Sequence, residues 1–346
     1  MRTLVISDLH LGNRAHHDVL RRPAPLSRLL DALQDVDRLV LLGDLAELVT
    51  RSPRRSLAAA EPVLRAVGRR MGSGREVVLV PGNHDAPLIR AWVRAQGHRL
   101  SIDTVVPPEA TRALARVVSW LGPAPVRVHY PGVWLGERTW ATHGHYLDHH
   151  LMPESPVGLP RGRLGRRPRS SATPLDYERG RIRSHHGRDA LLSRALQRPV
   201  TTLAEVLGDL ARAAMVPKLP RMLMRARLTP LTAAMIDLQV RHATLPALAR
   251  VLARLGVDAD WVVFGHVHRL GPLASDRPDR WRAGVGGGPR LLNSGSWLYE
   301  PLLIDRASPP HPYWPGGAVV LEPGREPRTV GLLDGLAAEE LHPGHV

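Results

Sequence analysis

Thr3-Leu4-Val5-Ile6-Ser7-Asp8-Leu9-His10 carries a short apolar, partly β-branched run that ends in two potential metal ligands, Asp8 and His10. The same arrangement recurs along the chain. Leu39 to Leu42 precedes Gly43-Asp44, Val77 to Val80 precedes Gly82-Asn83-His84-Asp85, and Trp261 to Phe264 precedes Gly265-His266-Val267-His268. A further block, His143-Gly144-His145, follows Arg138 to Thr142. Short apolar runs bounded by turn residues read as buried strands. Ligands on the loops at the C-terminal ends of neighbouring strands converge on one crevice, which is where open α/β sheets bind their ligands.

Working outward, the apolar spacing predicts helices over Leu26 to Val36, Leu57 to Met71, Pro87 to Gln96 and Pro108 to Leu121, alternating with the first strands. That alternation implies parallel strands joined by right-handed crossovers, an α/β fold. Val126 to Tyr130 and Arg138 to Thr142 read as further strands. From 243 onward a helix over Leu245 to Leu255 leads into the strand Trp261 to Phe264. Arg290 to Leu292 then runs into Asn293-Ser294-Gly295-Ser296-Trp297, and Ala318 to Leu321 and Thr329 to Leu332 read as antiparallel strands.

Between 149 and 242 the character changes. Arg161 to Arg188 holds nine arginines against Asp176 and Glu178, and reads as a long, partly disordered loop of exposed arginines. Ala190 to Leu196 and Leu203 to Met215 read as helices. Residues 210–236 carry Arg212, Lys218, Arg221, Arg225 and Arg227 without an acid, together with Met215, Met222, Met224 and Met235. Basic and methionine-rich character coincide there, which suits a substrate-covering lid or a peripheral contact with anionic lipid. The expected organisation is one catalytic domain, 1–148 and 243–346, interrupted by an inserted, mainly helical, basic cap at 149–242.

The 346 residues, 43% of them hydrophobic, suffice for a large core. With no cysteine, disulfides and thiolate metal sites are excluded, leaving His, Asp, Glu and Asn as ligands. The N-terminus enters a strand without a signal-peptide pattern, and no run reaches the roughly 20 apolar residues of a membrane span, so a cytoplasmic location is expected. The formal charge is +15, and among 47 basic residues only Lys218 is lysine. The arginine load accompanies richness in Ala, Gly and Pro, so part of it is compositional. A basic surface nonetheless attracts phosphate-bearing substrates.

Two divalent cations about 3.5 to 4 Å apart require a bridging carboxylate and first ligands that leave positions open for water and substrate. Asp44 is the candidate bridge. Asp8, His10 and His268 would serve one cation, and Asn83, His143 and His266 the other. Such mixed ligation suits manganese, iron, zinc or cobalt better than calcium, and manganese is the cation expected first. His84 is the candidate to protonate the leaving group, and Asp85 to orient its imidazole. Glu47 reads equally as a supporting carboxylate or as an acid in the first turn of a helix. His145, His149 and His150 read as solvated loop histidines, with His145 the one able to face a substrate.

The ordered blocks resemble those of the calcineurin-like metallophosphoesterase superfamily, D-x-H, G-D, G-N-H-[DE], an intermediate His and G-H-x-H, and they frame most of the chain. The resemblance implies a four-layer α/β/β/α sandwich, with Asp8, His10, Asp44, Asn83, His143, His266 and His268 as metal ligands and His84 as the catalytic histidine. Asn293-Ser294-Gly295-Ser296 is similar to the turn that commonly follows the last His pair. Ser7 to Leu11 and Gly43 to Glu47 resemble the bacterial UDP-2,3-diacylglucosamine pyrophosphatase branch. That branch, however, has arginine where His84 stands, an acid where His145 stands, and threonine and proline where Val267 and Arg269 stand.

The expected activity is hydrolysis of a phosphate ester, a phosphodiester or pyrophosphate, by a hydroxide bridging two metals. The substrate would be a phosphorylated small molecule, a nucleotide or a lipid-linked compound. Two alternatives are a metal-dependent DNA nuclease, which the positive charge suits, and an inactive phosphatase-fold binding module, which should have lost ligands.

Overall fold

The computed structural model describes residues 1–96, 99–151, 171–184, 237, 240–284, 287–304 and 307–342. The first half alternates: β1 (Thr3–Ile6), α1 (Pro23–Ala32), β2 (Arg38–Leu41), α2 (Pro53–Met71), β3 (Glu76–Leu79), α3 (Ala86–Ala95), β4 (Thr104–Val106), α4 (Arg112–Trp120) and β5 (Val126–Tyr130). Next come β6 (Gly132–Trp134), β7 (Thr139–Thr142), α5 (Asp148–Leu151) and α6 (Pro174–Ser184). The remainder is α7 (Leu245–Leu255), β8 (Trp261–Phe264), β9 (Leu270–Gly271), β10 (Arg290–Ser294), α8 (Pro301–Ile304), β11 (Gly317–Leu321), β12 (Arg328–Gly331) and α9 (Ala338–Leu341). None of the described helices is long and apolar enough to cross a membrane.

The strands form a seven-stranded sheet, β12-β11-β1-β2-β3-β5-β4, and a five-stranded sheet, β6-β7-β8-β10-β9. In the first, β1, β2, β3 and β5 run parallel, with β11 and β4 antiparallel to their neighbours. In the second, β7, β8 and β10 run parallel, between antiparallel edges β6 and β9.

Side-chain alternation sorts each strand between two cores. Val5, Val40, Leu42, Val78 and Val80 meet Val133, Ala141, Val263 and Leu292 in a cluster drawn from both sheets. The intervening Leu4, Ile6, Leu39, Leu41, Val77 and Leu79 belong to the cluster that contains Leu29, Leu64 and Val67 of the helices. On the other sheet, Val262 and Phe264 share that cluster with Leu245, Leu248, Val251 and Leu252 of α7. Strands buried on both faces read as continuous apolar runs, which is why β1, β2, β3 and β8 stand out in the sequence. Each such side chain contributes about 1.5–3 kcal/mol on burial. Two facing sheets flanked by helices make the expected α/β/β/α sandwich.

Helix limits differ from the periodicity in an instructive way. Both α1 and α2 begin earlier, at Pro23 and Pro53, because proline is preorganised for the first helical position. In α4, Thr111 caps the N-terminus, its Oγ1 accepting from Leu114 N at 3.1 Å. The segment 161–188 is not wholly irregular: Thr173 precedes the helix α6, with Asp176 accepting from Thr173 N at 2.9 Å. The expected helices at 190–196 and 203–215 and the basic, methionine-rich 210–236 lie outside the described residues.

Candidate metal centre

The loops that follow β1, β2, β3, β7 and β8 leave the strands in the same direction and meet. The first two are joined by backbone bonds that continue the parallel pairing, Asp8 N to Gly43 O at 3.0 Å and His10 N to Asp44 O at 2.8 Å. Asp8, His10, Asp44, His266 and His268 all adopt left-handed backbone, with φ of 56°, 43°, 52°, 71° and 55°. Asp and His tolerate that region better than most residues, yet it costs about 1–3 kcal/mol apiece and persists only where the surroundings impose it. It turns each side chain off its strand axis.

Glycines let the loops approach. A Cβ on Gly82 would overlap Asp44 Oδ1 and lie 2.6 Å from Asp44 N, and one on Gly265 would overlap Ser7 Oγ and lie 2.7 Å from Ser7 Cβ. These two positions are dictated by contact, not by turn conformation.

Three triads converge, Asp8-His10-His268, His10-Asp44-His84 and Asp44-His143-His266, each with its ligand atoms within 4.8 Å of one another. Asp44 Oδ2 lies 3.6 Å from His10 Nε2 and 3.2 Å from His143 Nε2, so one oxygen faces both sides. Asp8 Oδ1 is buried without a hydrogen bond, 3.3 Å from His268 Nε2 and 3.9 Å from His10 Nε2. Its other oxygen accepts from Ser7 Oγ and from His266 N at 2.9 Å. Asn83 Oδ1 lies 3.0 Å from His143 Nε2.

The hydrogen bonds behind these atoms decide their chemistry. His143 Nδ1 donates to Leu42 O at 3.0 Å, and His10 Nδ1 to the Glu47 carboxylate at 3.2 Å. Each neutral ring therefore directs the lone pair of Nε2 inward, against carboxylate and amide oxygens that only accept. Inward-facing acceptors at these separations call for a cation, and the donor set of imidazole, carboxylate and amide suits a divalent transition metal. Without one, a proton takes its place. Burial opposes charge on His143, but Asp44 and Asp8 raise it to about 9. Burial likewise works to raise Asp44 and Asp8, and the surrounding imidazoles outweigh it. Asp44 falls well below the carboxylate range, and Asp8, helped by His143 and His268, sits at about 2.

His84 is part-exposed at the mouth, and its backbone N donates to Asp44 Oδ1 at 2.8 Å. The carboxylate beside its imidazole is Glu47, whose Oε1 lies 2.7 Å from His84 Nδ1. Asp85, the expected partner, is instead fully buried, accepting from Leu45 N at 2.9 Å, Ala46 N at 3.1 Å and Gly82 N at 3.2 Å. Its backbone turns it inward, so it braces the loops that carry Asp44 and Asn83. Glu47 lies outside any helix, since α2 begins at Pro53, and spans His84 and His10 with its two oxygens. Burial tends to raise its carboxyl, and these two imidazoles hold it far below the usual range.

Asp148 escaped the sequence reading, and its Oδ1 lies 2.7 Å from His266 Nε2. No motif marks it, as an isolated acid 118 positions away from its partner carries no spacing signal. His145 and His150 are buried, whereas His149 is exposed, so the solvated-loop reading holds only for His149. Beside His145, Tyr130 Oη at 3.3 Å also donates to Glu178 of α6, and Tyr177 of α6 stacks on Tyr146 with ring centroids 4.7 Å apart. Burial against aromatic rings replaced water there.

The calcineurin-like phosphoesterase family model matches residues 1–270. No curated protein matches the chain significantly. The matched span holds every block of the centre, and the described fold and its clustered Asp and His side chains agree with it. The chain therefore belongs to the calcineurin-like phosphoesterase family, as a metal-dependent phosphoester hydrolase.

Proposed function

We propose that the protein hydrolyses a phosphodiester or pyrophosphate at a centre of two divalent cations, with manganese the first candidate. The observation that carries this reading is Asp44 Oδ2, one oxygen facing His10 Nε2 at 3.6 Å and His143 Nε2 at 3.2 Å. Asp8, His10 and His268 would hold one cation and Asn83, His143 and His266 the other, with Asp44 between them. When bound, such cations activate water at neutral pH and neutralise charge developing on phosphoryl oxygens. Asp148 would fix the tautomer and orientation of His266, as carboxylates commonly do for metal-bound histidine.

His84 would donate the Nε2 proton to the leaving-group oxygen. Its Nδ1 is held by Glu47 at 2.7 Å, a carboxylate that would stabilise the charged ring. Residues 149–242 would form an insert beside the crevice. In support, α6 brings Tyr177 and Glu178 against Tyr146, Tyr130 and His145. Nucleotide, phosphorylated small-molecule or lipid-linked substrates all suit the chemistry.

The test is hydrolysis of bis-p-nitrophenyl phosphate beside p-nitrophenyl phosphate, by protein stripped with chelator and reloaded with manganese. Manganese-dependent diester cleavage, lost in His84→Ala, is the expected result. Equal turnover by stripped and reloaded protein would refute the reading.

A further inference from the structure

Arg14, Arg51 and Arg55 line a cavity of about 370 Å³ together with Val49, Thr50 and Ser52. It adjoins the metal centre through two sets of bonds. Thr50 N donates to Glu47 Oε1 at 3.1 Å, the oxygen that also meets His84. Arg51 Nη1 donates to Gly12 O at 2.7 Å and Asn13 O at 3.3 Å, on the loop that begins with Asp8 and His10. Arg51 is thereby fixed as a wall between the two ligand-bearing loops.

The charge of this cavity is uncompensated. Several surface arginines pair with acids, Arg38 and Arg127 with Glu76, Arg138 with Asp258 and Asp260, and Arg290 with Glu326. Arg14 and Arg55 are exposed and meet no acid among the described residues, and the lining contains none. Guanidinium forks match phosphate oxygens in geometry and charge. Among the described residues the lining has no aromatic ring to serve as a platform for stacking the bases of a strand.

We infer that this cavity is an anion subsite that takes a second, non-reacting phosphate group of the substrate. The substrate would then carry at least two phosphate groups, one at the cations and one among the arginines. The word substrate rests on the hydrolase reading above; the anion site does not.

The experiment titrates inorganic pyrophosphate calorimetrically into metal-stripped protein, which removes the cations as competing anion binders. Wild type is expected to bind, and Arg14→Ala/Arg55→Ala to bind about tenfold more weakly or worse, the scale of one lost charge-assisted pair. The control Arg69→Ala/Arg94→Ala removes the same net charge from exposed positions elsewhere and should match wild type. No binding by wild type, or equal weakening in both double variants, overturns the subsite. Weakened binding of a single-stranded oligonucleotide with pyrophosphate unaffected overturns it in favour of a strand-binding surface. Manganese-dependent diester hydrolysis by wild type reports separately on the centre, so failure of one reading leaves the other visible.

Discussion

Replacing Asp44 by Asn keeps the shape of a side chain whose single oxygen faces two imidazoles, but removes the charge that would hold two cations together. Asp44→Asn is expected to lose hydrolysis by about a hundredfold or more and to retain less metal. His84→Ala should lose hydrolysis comparably while keeping its metal, because Nδ1 of His84 is engaged by Glu47. Metal content by mass spectrometry, beside diester turnover, separates the two. Identical metal retention in both variants would undo the assignment. Asp85 makes a contrasting case, since it accepts from three buried backbone N–H groups. Asp85→Ala orphans those donors and should destabilise by about 2–5 kcal/mol in denaturant unfolding. Asp85→Asn keeps one acceptor oxygen and should cost less.

At the scale of elements, the glycine before a ligand matters through what its missing Cβ permits. Gly82→Ala is expected to keep its far-ultraviolet circular dichroism yet lose most hydrolysis, because the new methyl overlaps Asp44 Oδ1. Unchanged turnover would mean that the β3 loop yields freely. A second element-level test uses Glu76, which joins three strands through Arg38 at 2.7 Å and through Arg127. Partial burial would raise its carboxyl, but Arg127 and Arg38 hold it below the ordinary value of 4.5. A depressed acid adds stability above its unfolded pKa, and that stability is lost as pH falls through the folded value. Glu76→Gln should therefore cost up to about 1 kcal/mol at neutral pH, with wild type and variant converging as pH falls through the depressed folded value.

The same scale shows what a sequence makes legible. Runs such as Leu39 to Leu42 were readable because both faces of β2 are buried, and most of the candidate ligands because they follow such runs. By contrast β4 and β6 are three-residue edge strands with mixed burial, too short for any period. Helix α6 hid within an arginine-rich segment because the buried Leu175 and Tyr177 are too few to set a helical period among its charged residues. Glu47 and Asp148 earn their places only through folding, against His84 and His266, which no spacing in the chain announces.

Across the whole molecule, the centre ties both sheets together, since Asp8, Asp44 and Asn83 leave the larger sheet and His143, His266 and His268 the smaller. Ligation would stabilise the native state alone. Chelation is expected to lower the melting temperature of manganese-loaded protein by about 5 °C, the effect of a ligand near a hundred times its Kd. No shift on chelation would mean that the sheets hold their register without the cations.

Strand β1 pairs with β11, Thr3 opposite Leu321, and the backbone oxygen of Asp8 is held by Trp297 N at 3.1 Å. The opening strand thus waits for a partner made some 300 residues later. During synthesis a chain still short of residue 317 exposes one edge of β1, and one short of residue 297 also lacks the strap that sets the Asp8 loop. Long-range pairing of this kind closes late. Ribosome-stalled chains ending before and after β11 should therefore differ abruptly in resistance to protease and in manganese retention, so that the centre is completed by the arrival of β11 and not by the emergence of its own ligands.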